Sequence, residues 1–178
     1  LFLQSAHIRD EEVKQAVSAG QHRVESMALI HQKLYQRDNL AAVEMQDYFR
    51  NLANSLFDTF GMKDRARLKL DMEPLELDVD KAVPLGLIVN ELITNSLKYA
   101  FPDGREGTIR VALKQEPGEG LVLEVEDDGV GAGDAAQGTA FGSQLVTLLS
   151  QQLGGHLVSG NQSPAGYNTR LVIGPKAG

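Results

Sequence analysis

Six short runs between Arg67 and Ile173 carry apolar side chains at alternate positions. The clearest are Leu68, Leu70 and Met72; Leu75, Leu77 and Val79; Ile109, Val111 and Leu113; and Leu121, Leu123 and Val125, with two more at about 156–160 and 168–173. Alternation fits strands with one buried face, because successive strand side chains point to opposite sides. The stretches Asp80 to Phe101 and Leu145 to Leu153 instead follow a helical period. Pro84 is expected in the first turn of the former, where a missing N–H is tolerated, and Gly154-Gly155 ends the latter. Pro117-Gly118-Glu119-Gly120 joins two of the strands as a hairpin. Elements in this order predict an α+β fold: a two-layer α/β sandwich with helices on one face of a mixed, mainly antiparallel sheet.

The front of the chain has another rhythm. Leu1 to Ile8 reads as the end of a helix and Arg9-Asp10 as a break, with Asp10 capping a new helix to about Tyr35. Val13, Gly20, Met27 and Leu34 recur every seven residues, with Val17, Val24 and His31 between them, a spacing suited to helix–helix packing. Residues 36–42 read as a polar connection. A helix over about 46–60 then buries Tyr48, Phe49, Leu52, Leu56 and Phe60 and stops at Gly61. The expected organisation is an α-helical hairpin fragment over 1–38, followed by a sandwich domain over 39–178.

Composition narrows the chemistry. There is no Cys, which excludes disulfides and thiolate metal sites, and the net charge of −7 argues against a general nucleic-acid binder. No run of 18 apolar residues offers a membrane span. The opening LFLQSAHIRDEE has neither Met nor a basic flank, so the chain is expected to begin inside a longer protein.

Four segments carry candidate chemistry. In Asn90-Glu-Leu-Ile-Thr-Asn-Ser-Leu-Lys-Tyr99, helical spacing puts Glu91, Asn95, Lys98 and Tyr99 on one face. The carboxylate and amide oxygens suit Mg²⁺, which shares its shell with water and substrate phosphates; a solvated helix face is the plainer reading. Val125-Glu-Asp-Asp-Gly-Val-Gly131 ends a strand in acids, with Asp127 placed to accept from an exocyclic amine and Gly129 and Gly131 free to approach a ligand; an acidic turn accounts for it equally. Gly142 opens a helix whose N–H groups suit phosphate, or is an ordinary helix start. Thr169 offers a hydroxyl, or is simply a strand former. The Gly/Ala-rich stretch 129–142 reads as a mobile loop.

Taken in order, these segments resemble the ATP-binding fold shared by DNA gyrase, a heat-shock chaperone family, histidine kinases and MutL. Glu91-x-x-x-Asn95-x-x-Lys98-Tyr99 resembles the N box, and Asp127-x-Gly129-x-Gly131 the first glycine box. Gly142 resembles the second, which here reads Ala-Phe-Gly-Ser-Gln, and Thr169 the threonine that follows. Arg23-Val-Glu-Ser-Met-Ala-Leu-Ile-His-Gln-Lys-Leu-Tyr35 and Pro84-Leu-Gly-Leu-Ile-Val-Asn-Glu-Leu resemble one subfamily of sensor histidine kinases.

The resemblance implies a cytoplasmic, homodimeric transmitter that binds ATP and Mg²⁺. It would phosphorylate a histidine and pass the phosphoryl group to an aspartate of a response regulator. Asn95 would hold Mg²⁺ and Asp127 the adenine amine, with Lys98 near the phosphates and Tyr99 near the nucleotide. Glu91 would act as a base or organise the metal's waters. The acceptor histidine is expected on a helix ahead of Leu1; His22 falls off the apolar seam, His31 fits packing, and His7 and His156 look incidental. Two alternatives are an anti-sigma-type serine kinase, against which the seam at 13–34 argues, and a catalytically silent nucleotide-binding dimerisation module.

Overall fold

The computed structural model describes residues 42–132 and 140–174, together with Val17, Gly20, Gln21, Val24 and Ala28, which are helical. The rest of the predicted front helices lies outside the described residues, as does 133–139 of the predicted mobile loop. Val17 and Val24 of the heptad seam are exposed in the single chain.

Strand β1 (Ala42–Glu44) leads directly into α1 (Met45–Thr59). The Glu44 carboxylate caps that helix, accepting from the N–H groups of Gln46 at 3.2 Å and Asp47 at 2.7 Å. Gly61, at φ +62°, turns the chain out of it, as expected. Next come β2 (Ala66–Met72) and β3 (Glu76–Asp78). The predicted polar connection, 36–42, ends in β1, a three-residue strand too short for a periodic signal. It pairs antiparallel with β3 as a separate two-stranded sheet.

Helix α2 (Val79–Tyr99) is the central element. Pro84 sits at its sixth residue, in the second turn rather than the first, because the helix starts at Val79. Leu85, Val89 and Ile93 are fully buried, each contributing about 1.5–3 kcal/mol of apolar burial. Gly86 marks where α1 crosses: a Cβ there would stand 2.5 Å from Cζ and 2.6 Å from Cε1 of Tyr48. Only a bare backbone admits the buried Tyr48 ring.

Strands β4 (Gly107–Glu116) and β5 (Gly120–Asp127) form the expected hairpin. Helix α3 (Ala140–Gln152) begins earlier than predicted, so Gly142 lies inside its first turn. Strands β6 (Gly155–Asn161) and β7 (Tyr167–Ile173) complete the fold. The main sheet runs β2-β4-β5-β7-β6, parallel between β2 and β4 and antiparallel elsewhere, the mixed, mainly antiparallel sheet predicted.

Ile109, Val111, Leu113, Leu121, Leu123, Val125, Leu171 and Ile173 join residues of all three helices in one core. The alternate residues build a charged lattice on the opposite face. Arg110 of β4 binds Asp71 of β2 at 2.6 Å and Glu124 of β5 at 3.4 Å, and Arg170 of β7 binds Glu124 at 3.1 Å and Glu119 at 2.7 Å. The outer face is therefore polar because strand side chains alternate, and the helices are confined to the other.

Candidate functional site

The last turns of α2 meet the end of β5 through one buried hydrogen bond. Ser96 Oγ donates to Asp127 Oδ2 at 2.8 Å, and the Gly129 N–H donates to Asp127 Oδ1 at 3.1 Å. Asp127 is 4% exposed. Burial pushes its pKa up, while hydrogen bonds from Ser96 and from the backbone of Gly129 and Tyr167 pull it back; the neighbouring Asp128 charge raises it. An ionised carboxylate has about four acceptor sites. A buried carboxylate with this acceptor capacity has the chemistry to accept from an exocyclic amine.

Asp128 points elsewhere. Its Oδ1 accepts from the Thr108 N–H at 2.7 Å, and its carbonyl accepts from Arg105 at 2.9 Å. The two adjacent acids thus have different tasks, since Asp128 ties the β5 end to the start of β4.

The two glycines of the predicted box have different structural needs: Gly131 lets the backbone turn, as expected, whereas Gly129 gives way to a neighbour that the sequence does not announce. A Cβ on Gly129 would collide with Ala100 Cβ and carbonyl O and stand 2.8 Å from its carbonyl carbon. The Val130 N–H donates to the Ala100 carbonyl at 3.0 Å, fastening the box to the end of α2. Gly131 has φ +77°, a region that side-chain-bearing residues rarely adopt. Gly129 thus answers to close packing against Ala100, and Gly131 to its backbone conformation.

On α2, Glu91 is buried, whereas Asn95, Lys98 and Tyr99 are half-buried. Their common face follows from helical spacing alone. The Lys98 ammonium lies 6.0 Å from the centre of the Phe60 ring at the end of α1. One turn before Lys98, the buried hydroxyl of Thr94 has no hydrogen-bond partner. The oxygen donors Glu91 and Asn95 form a small set, which fits a hard cation that keeps most of its waters. Among the described residues no group of three or more His, Cys, Asp or Glu side chains is placed to hold a metal.

Thr169 is buried on β7 opposite Val125, on the same sheet face as Asp127. Its hydroxyl is 2.9 Å from that of Ser159. Gly142 is buried in the opening turn of α3. The structure therefore brings Asp127, Gly129 and the end of the N-box helix into direct contact and sets Thr169 on the adjoining strand.

Sequence reasoning missed Ser96, which lies inside the N-box segment without being one of its marked letters. It also missed Asn161 at the end of β6 and Gln162 just after it; Gln162 Nε2 donates to the Asp127 carbonyl at 3.0 Å. A polar, proline- and glycine-containing turn just ahead of Tyr167 was the available signal. A cleft of about 750 Å³ opens elsewhere, between α1 and β2, lined by residues such as Arg50, Phe57 and Arg67. None of the predicted site residues lines it.

The helices lie over one face of a mixed sheet, with an acidic strand end docked on the central helix. Residues 80–177 match the family described as "Histidine kinase-, DNA gyrase B-, and HSP90-like ATPase", and residues 1–60 match one described as "Histidine kinase". The chain belongs to the former family, on its sensor histidine kinase branch. Blue-light-activated histidine kinase 2 of Erythrobacter litoralis is 29% identical over 145 residues, 76% of this chain and 41% of its own length. Sensor histidine kinase PdtaS of Mycobacterium tuberculosis is 26% identical over 162 residues, 88% of this chain and 32% of its own. The chain thus spans less than half the length of these curated relatives. A histidine kinase domain from an Erythrobacter litoralis blue-light-activated histidine kinase superposes with a TM-score of 0.76 at 26% identity, covering 88% of this chain and 74% of that one. Among the described residues no helix is long and apolar enough to cross a membrane.

Proposed function

We propose that this chain is the ATP-binding half of a cytoplasmic sensor histidine kinase, preceded over 1–38 by dimerisation helices that pair with a second copy. Residues 39–178 bind Mg·ATP. Asp127 accepts the adenine amine, Asn95 with Glu91 serves Mg²⁺, Lys98 approaches the phosphates and Tyr99 the nucleotide. Gly129, Gly131, Gly142 and Thr169 shape the surrounding backbone. The observation that carries this reading is the buried Asp127 carboxylate, held by Ser96 of the N-box helix and by Gly129. The domain boundary finds support in α1, whose Tyr48 packs against Gly86 of α2 and so belongs to the same core, although the match to the family described as "Histidine kinase" runs on to residue 60.

Such a transfer breaks the bond between the γ-phosphorus and ADP as a phosphorus–nitrogen bond forms on an imidazole. The imidazole proton leaves to a base, a role open to Glu91, and ADP departs. Bound Mg²⁺ would offset charge on the phosphate oxygens, and the protein's part is mainly positioning. The phosphoryl group then passes to an aspartate of a response regulator.

The test supplies γ-labelled ATP to the chain with and without a fragment carrying the preceding helix. Acid-labile label should appear on the added fragment and be lost in Asn95→Ala, which should also lose Mg-dependent ATP binding. Acid-stable label would instead indicate the serine kinase alternative, and nucleotide binding without transfer the silent module. Label on His22 of the chain alone would overturn the placement of the acceptor.

A further inference from the structure

We propose that Asn161, at the end of β6, is a positioning residue for the nucleotide site, holding the first glycine box in register from beneath. Its Oδ1 accepts from the Ala132 N–H at 2.6 Å, and its Nδ2 donates to the Ala132 carbonyl at 2.9 Å. One carboxamide thereby satisfies both backbone groups of one residue, as a neighbouring strand would. Asn161 is seated directly on the box: a Cβ added to Gly131 would lie 2.9 Å from its Oδ1.

The same turn carries the other end of the box. Gln162 Nε2 donates to the Asp127 carbonyl at 3.0 Å. Gly166, at φ +111°, lies so close that a Cβ would run into that carbonyl oxygen and stand 2.9 Å from its carbon. The Gln162 N–H donates to the Gly166 carbonyl at 3.1 Å and closes the turn. Asp127 and Ala132 are thus gripped by consecutive residues, Gln162 and Asn161. Asn161 itself is exposed, so its bonds add little to global stability. Their effect falls on where Gly131 and the Asp127 backbone stand.

This inference rests on the Mg·ATP reading of the site. The test compares the wild-type kinase with Asn161→Ala and Asn161→Asp. Three measurements are made: the Kd for Mg·ATP, the urea midpoint, and hydrogen exchange of the Ala132 amide without nucleotide. For Asn161→Ala the expected result is binding weakened by about 10-fold, as a misplaced site element would cause, an unchanged midpoint, and faster Ala132 exchange. Asn161→Asp keeps an acceptor for the Ala132 N–H and loses the donor to its carbonyl, so it should fall between. If the wild type binds Mg·ATP and Asn161→Ala binds equally well, the positioning role is wrong while the nucleotide reading stands. A parallel fall in midpoint and affinity would make Asn161 a merely structural residue and overturn the proposal. A wild type that binds no nucleotide would overturn the nucleotide reading, and faster Ala132 exchange would then report the clamp alone, without its function.

Discussion

Replacing Gly129 by alanine separates two roles of the glycine box. The added Cβ would stand 2.8 Å from the Ala100 carbonyl carbon, 0.6 Å short of the 3.4 Å at which ordinary contact begins. Ala100 Cβ and O are nearer still, and two of the three obstacles are backbone atoms at the end of a helix. The box must therefore retreat from α2 by at least that distance. Overpacking of this kind costs about 1–3 kcal/mol. The 3.0 Å bond from the Val130 N–H to the Ala100 carbonyl lies in the path of the movement, and its loss adds about 0.5–1.5 kcal/mol. The movement also drags the Gly129 N–H away from Asp127 Oδ1, now 3.1 Å distant. Misaligning a charged hydrogen bond worth about 1.5–3 kcal/mol weakens nucleotide binding by about 10-fold or more. Urea unfolding and titration with a fluorescent ATP analogue measure the two effects. Ala100→Gly in the same chain removes one obstacle and should restore part of both. A Gly129→Ala protein with unchanged midpoint and affinity would refute the packing explanation; lost affinity at full stability would return Gly129 to direct ligand contact.

Two further tests address the scaffold. Gly86→Ala should lower stability even though alanine is the better helix former by about 1 kcal/mol, because its methyl meets the buried Tyr48 ring; Tyr48→Phe should raise stability by about 1 kcal/mol, since it deletes a buried hydroxyl without a partner, and urea midpoints that move the other way would contradict both. Arg110 and Lys114 hold the Asp71 pKa down to about 2 from 3.8. A depressed carboxylate stabilises the fold above its unfolded value and loses that contribution as pH falls. The stability gap between wild type and Asp71→Asn should therefore close between about pH 4 and pH 2, and added salt should narrow it at neutral pH because the group is solvent-accessible; a gap independent of pH would be the contrary result.

Most of the architecture was legible because alternation is a strong signal wherever one sheet face is buried. Leu121, Leu123 and Val125 could face only the helices, and Gly61 and Gly118 marked real turns. β1 escaped notice because three residues define no period, whereas the helix opening at Gly142 was legible and begins only two residues earlier, at Ala140. The site was legible as letters but not as contacts. Asp127 was picked out by the glycines after it, whereas its partner Ser96 lies 31 residues earlier and becomes meaningful only once α2 lies on β5. Gly129 stood out in the sequence as a glycine beside an acidic strand end, but no sequence pattern announces that Ala100 will stand against it.

The parallel pairing of β2 with β4 also constrains how the chain is made. β2 is an edge strand whose sole sheet neighbour among the described residues is β4, and residues 73–106, including all of α2, must be synthesised before that neighbour exists. From Met72 to Leu113, the last pair in the register, a ribosome working at about 5–20 residues per second needs about 2–8 s. Throughout that interval β2 has no strand of its own to pair with, while neighbouring nascent chains expose the same one. Arg67, Lys69 and Asp71 put a charge at every alternate position along it, and charged side chains on an exposed edge disfavour pairing with another copy. The charged edge of the finished sheet therefore also serves as a safeguard during the seconds before the sheet is complete.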